Sequence, residues 1–103
     1  WETVDDLNRA LDIDPNSSDA LIFRASAYRY LDSLDLAADD VNRALELDGD
    51  HVAAYLERGN IRRLRGDNSG AREDWLQAIK LAPDSPAADA ARRNLEKMDI
   101  KPE

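Results

Sequence analysis

The chain has 103 residues, 43% of them hydrophobic, which suits one small globular domain. No stretch approaches the roughly 18 apolar residues of a membrane span, and no basic segment followed by an apolar one opens the chain as a secretory signal would. The net charge of −8 disfavours a nucleic-acid backbone or an anionic membrane as the main partner, and the absence of Cys excludes disulfides and thiolate metal sites.

The acidity is uneven. Residues 1–50 hold 4 Arg/Lys against 13 Asp/Glu (−9), and residues 51–103 hold 10 against 9 (+1). With no initiating Met, Met98 being its one Met, the chain reads as a trimmed piece of a longer protein. Any targeting segment would then lie upstream. The compartment stays open between cytoplasmic and exported.

In chain order, the first segment places Val4, Leu7 and Leu11 at helical spacing and stops at Pro15, which lacks the amide hydrogen a helix needs. Ser17, Ser18 and Asp19 offer N-cap chemistry to a helix over Ala20 to Leu31, with Leu21, Ala25 and Tyr28 on one face. A short polar turn around Asp35 leads into Leu36 to Leu47. Further helices are expected over Val52–Arg65 and over Ser69–Leu81. Gly66-Asp67-Asn68 separates them, with Gly66 suited to a left-handed helix end. Ser85-Pro86 reads as N-cap and first residue of a last helix running to about Met98. No strand pattern occurs.

These elements repeat every 34 residues without gaps. Asp6, Asp40 and Asp74 coincide, as do Ala10, Ala44 and Ala78. Leu7, Val41 and Trp75 form one large apolar column, Leu11, Leu45 and Ile79 another, and Ile13, Leu47 and Leu81 a third. Pro15, Gly49 and Pro83 close the units. A 34-residue helix–turn–helix unit resembles the tetratricopeptide repeat (TPR), patterned W-x2-L-G-x2-Y, then A-x3-F, then P. Here one unit reads Leu21-x2-Arg24-Ala25-x2-Tyr28, Ala37-x3-Val41, Gly49. The next reads Tyr55-x2-Arg58-Gly59-x2-Arg62, Ala71-x3-Trp75, Pro83. The opening segment keeps only Thr3-x3-Leu7 and Pro15.

The resemblance covers nearly the whole chain and implies an all-α fold, a right-handed superhelix of antiparallel helix pairs. The expected organisation is a single domain. Residues 1–17 supply the second helix of a partial repeat, 18–51 and 52–85 two full repeats, 86–99 a capping helix and 100–103 a tail. Such units share one core because no helix pair can bury its apolar face alone.

Both full units depart from the pattern by placing Arg in the Leu slot, Arg24 and Arg58, with Asp sixteen residues later, Asp40 and Asp74. An inward Arg is tolerable when paired, so each is expected to meet its Asp. Arg62, in the Tyr slot, is expected to lay its stem over the core.

Candidate chemistry is sparse. The single His, His51, sits at a unit junction as a solvated or capping residue with no nucleophile in its pattern. Asp12-x-Asp14-x-Asn16 lacks the next Gly of a calcium loop and has Phe23 in place of the final Glu. Arg65-Gly66-Asp67 is turn chemistry rather than an adhesion tripeptide. Asn16-Ser17-Ser18 has the spacing of a glycosylation sequon. No phosphate loop or zinc spacing occurs. No catalytic residue, metal or cofactor is expected, and the chain is not read as an enzyme.

One stripe per first helix remains after the core positions are assigned: Asp19, Ile22, Ser26, Arg29; then Ala53, Leu56, Asn60, Arg63; then Ala87, Ala90, Asn94, Lys97. The resemblance implies that this stripe lines a concave groove with three rows. Ile22, Leu56 and Ala90 are apolar, Ser26, Asn60 and Asn94 polar, and Arg29, Arg63 and Lys97 basic, with Tyr30 and Leu64 beside the last. That arrangement suits a peptide or helix of a partner protein with an apolar anchor and acidic groups. Chaperone-tail binders of the family hold a terminal carboxylate with Lys and Asn. Here the Lys slots hold Ile22 and Leu56 and only Asn60 fits, which marks that role down. The competing reading is self-association, or packing within a larger repeat protein, through the uncovered side of the helix bearing Val4, Leu7 and Leu11.

Overall fold

The computed structural model describes residues 2–99, and within them six helices and no strand. They are α1 (Glu2–Ile13), α2 (Ser18–Tyr30), α3 (Leu34–Leu47), α4 (Val52–Leu64), α5 (Asn68–Leu81) and α6 (Pro86–Asp99). The expected tail, 100–103, lies outside the described residues. α2 packs on α3 and α4 on α5, the two tightest pairings, and α1 and α6 flank them. α2 also contacts α4, and α4 contacts α6, so the three form one layer. No helix is long and apolar enough to cross a membrane among the described residues.

Helix starts follow side-chain oxygen and nitrogen acceptors. Ser17 Oγ accepts from the Ala20 N–H at 3.2 Å, Asp67 Oδ1 from Gly70 at 2.9 Å and Ser85 Oγ from Ala88 at 3.0 Å. His51 caps α4 with Nδ1, which accepts from the Ala54 N–H at 3.1 Å. The ring hydrogen therefore sits on Nε2, 2.7 Å from Asp19 Oδ1 on α2, so one imidazole bridges two helix pairs. It is a cap, and a mostly covered one. The turn before α3 lies at Leu31-Asp32-Ser33, ahead of the expected Asp35, which sits in the first turn of the helix. Asp32 takes φ 60°, where the equivalent turn 34 residues on uses Gly66 at φ 85°. Asp tolerates that left-handed geometry better than most residues.

Within each pair the apolar columns interlock. Ala25, Ala37, Val41 and Ala44 are fully buried between α2 and α3, and Ala71, Trp75 and Ala78 between α4 and α5. Small residues face large ones at the same 16-residue offset: Ala25 with Val41, Gly59 with Trp75. A Cβ on Gly59 would collide with the Trp75 indole, whose Nε1–H donates to the Leu56 carbonyl at 3.3 Å. Overpacking of this kind costs about 1–3 kcal/mol. Gly59→Ala should lower the urea midpoint by a corresponding amount, whereas Gly49→Ala, with only ordinary contact in reach, should change it little.

Candidate peptide-binding groove

The Arg–Asp pairs lock the helix pairs that carry the site. Arg24 holds Asp40 through two bonds of 2.8 and 2.7 Å and adds Asn8 of α1 at 2.9 Å. Arg58 holds Asp74 at 3.0 and 2.9 Å, and Arg62 adds a third bond to the same carboxylate at 3.0 Å. Arg62 thus does more than cover the core with its stem. The hydrogen bonds to Asp40 and Asp74 hold the Arg24 and Arg58 guanidiniums protonated above their ordinary range, against the opposing effect of burial. Arg24 and Arg58 also lie over Tyr28 and Tyr55, 5.7 and 5.4 Å from the ring centroids. Every one of these charges is spent inside the scaffold.

A cavity of ≈330 Å³ lies between α4 and α6. Leu56, Asn60, Arg63 and Leu64 enter it from α4, Ala90, Asn94 and Lys97 from α6, and Arg29 from α2; fully buried Trp75 lies under its floor. Asn94 Nδ2 donates to Asn60 Oδ1 at 3.1 Å, linking the two helices across one repeat length. Arg63 and Lys97 are exposed and have no ion-pair partner among the described residues.

The other stripe residues go elsewhere. Ile22 is 6% exposed and belongs to the core around α2, α3 and α4. Ser26 and Tyr30 line a separate hollow between α1 and α2. Arg29 reaches the groove, but its charge is committed. It binds Glu57 of α4 through Nε and, at 3.5 Å, through Nη2, and stacks on Tyr30 with its centre 4.8 Å from the ring. Burial alone would lower the Arg29 pKa; the Glu57 hydrogen bond and charge outweigh it and raise it. Glu57 was not visible as a partner in the sequence. Its repeat equivalents are Phe23 and Ala91, so no column marked it.

Residues 18–51, which hold α2, α3 and their junction to α4, match the family model of the tetratricopeptide repeat. The fold is a TPR fold. The first TPR domain of human RPAP3 superposes with a TM-score of 0.83 at 28% identity, over 93% of this chain and 73% of that one. The Arabidopsis OM64 TPR domain does so with 0.79 at 27% identity, over 92% and 78%. The first TPR of Spaghetti (RPAP3), bound to the HSP90 peptide SRMEEVD, gives 0.78 at 26%, over 95% and 78%. No curated protein matches the chain.

Within this TPR scaffold, Arg29 and Arg63 occupy the same row but carry different tasks. Arg29→Gln leaves Glu57, 6% exposed, without its counter-ion and should lower stability by about 1–3 kcal/mol. Arg63→Gln should stay within about 0.5 kcal/mol of the parent, as surface changes usually do. Chemical denaturation of the two variants side by side reads the contrast directly.

Proposed function

We infer that this chain is a protein-interaction module whose α4–α6 groove takes a partner segment with an apolar anchor and acidic groups. The observation that carries the reading is a contrast of charge. In a protein of net charge −8, two cations without ion-pair partners among the described residues, Arg63 and Lys97, meet at one cavity with an apolar base of Leu56, Ala90 and Leu64. Arg can hold a carboxylate in bidentate fashion, and the Asn60–Asn94 pair keeps an amide N–H and a carbonyl oxygen for a peptide backbone. A cavity of ≈330 Å³ has room for one or two side chains, so the remainder of a ligand would run along the layer of α2, α4 and α6.

The likeness to a Spaghetti TPR bound to an acidic HSP90 peptide supports the ligand class. The mode of binding is this chain's own. Where the family resemblance calls for carboxylate-holding Lys, Ile22 is buried and Leu56 is part of the apolar base.

Acidic peptides selected by display against the protein supply the probe. Arg63→Gln with Lys97→Gln should weaken their binding about 100-fold in calorimetry, since a charge-assisted contact is worth about 1.5–3 kcal/mol. Helicity should not change. Unchanged affinity in the double variant would sink the reading.

A further inference from the structure

The hollow between α1 and α2 is larger, ≈650 Å³, and has a different chemistry. Its walls are Leu7 and Asp6 of α1 and Phe23, Ala27, Tyr30 and Leu31 on the α2 side. Phe23 is 64% exposed and Tyr30 80%, an open apolar surface. Val4 and Leu11 of α1 are nearly buried, so the uncovered side is shared by both helices rather than borne by α1 alone.

The internal repeat states what such a hollow accepts. Shifting by 34 turns Thr3, Asp6 and Leu7 into Ala37, Asp40 and Val41, and a second shift gives Ala71, Asp74 and Trp75. In both later settings a helix lies against these residues, α2 on α3 and α4 on α5, and all six are buried. Each covering helix brings an Arg to the Asp and a small residue to the large one: Arg24-Ala25 and Arg58-Gly59. Asp6 has the same position on α1 but no such Arg. Its side chain is 74% exposed and, among the described residues, pairs only with Arg9 of its own helix, at 3.2 Å.

A third contact is also specified. Five residues after the Arg, the covering helix faces the next helix of its layer, where Arg29 of α2 binds Glu57 of α4. The position equivalent to Glu57 on α2 is Phe23, so here an apolar side chain, not a cation, would fit.

We propose that the hollow between α1 and α2 docks an amphipathic helix of a partner protein, about three turns long, that presents Arg, a small residue next to it, and an apolar residue five positions after the Arg. The Arg takes the Asp6 carboxylate, the small residue lies on Leu7, and the apolar residue covers Phe23. Charge favours a partner over a second copy. The first fifty residues carry −9, so two copies meeting at this face would repel. A copy would also have to offer Arg9-Ala10, the one exposed Arg–small pair within a helix among the described residues, and five residues after Arg9 comes charged Asp14, beyond the end of α1.

The test uses a stapled helical peptide of residues 18–31 carrying Arg29→Leu, which contains Arg24-Ala25 and supplies Leu in the fifth position. Titrated into the intact protein, it should shift amide signals of Asp6, Leu7, Phe23 and Ala27 and leave Asn94 and Lys97 unmoved. Arg24→Met in the peptide or Asp6→Asn in the protein should each weaken binding about ten-fold, and the two together no more than either alone. Three results would overturn the proposal: no saturable shifts at millimolar peptide, shifts centred on the α4–α6 groove, or sedimentation showing a dimer that Phe23→Asp dissociates.

Discussion

Each helix pair is keyed by an Arg and an Asp sixteen residues apart, with a small residue and a large one beside them at the same offset. Arg24 on Asp40 and Arg58 on Asp74 are bidentate, with the carboxylates nearly closed to water and the Arg side chains partly exposed, which fixes rotation as well as spacing between partners. Buried ion pairs of this kind are weak sources of net stability, because desolvation offsets much of the Coulomb gain. Their effect is on register. A helix slid by one residue would strand a buried carboxylate and drive Val41 or Trp75 into a backbone that only Ala25 or Gly59 makes room for. The apolar columns then supply the stabilisation that the register permits.

Once register is fixed, the groove between the helices of the other layer follows. α2, α4 and α6 lie in one layer, and the residues that do not face α3 or α5 meet between them. The scaffold neutralises its own inward charges, through Arg24, Arg58, Arg62 and Arg29 on their three carboxylates. What remains without an ion-pair partner at the groove, among the described residues, is Arg63 and Lys97. The electrostatic signature of the groove is thus a residue of the packing rather than of composition, and it runs opposite in sign to the chain as a whole.

Much of the architecture was legible in the sequence because repetition gives each position several readings. Asp40 and Asp74 could be assigned partners since the Arg–Asp spacing occurs twice. Ser85 was readable as a cap and Ser17 as one of three candidates with Ser18 and Asp19, whereas Asp67, which caps α5, read only as part of a turn. What the sequence hid was whatever a single repeat does alone. Glu57 has no counterpart in its column, so its burial with Arg29 left no pattern, and a row of three cations looked equally free. Asp32 replaces Gly66 at a left-handed turn, and an Asp signals that geometry far less strongly than a Gly. Ser26 and Tyr30 fall outside the α4–α6 groove because a concave surface is made between neighbouring helices of the layer, and α2 has α4 on one side and the hollow beside α1 on the other.

The most direct measurement is a chemical-shift map of the uniformly labelled protein on titration with a display-selected acidic peptide. The account predicts saturable shifts at Leu56, Asn60, Arg63, Asn94 and Lys97, with Arg58 and Asp74 unmoved. Shifts confined to the outer faces of α3 and α5, around Leu36 and Leu76, would contradict it.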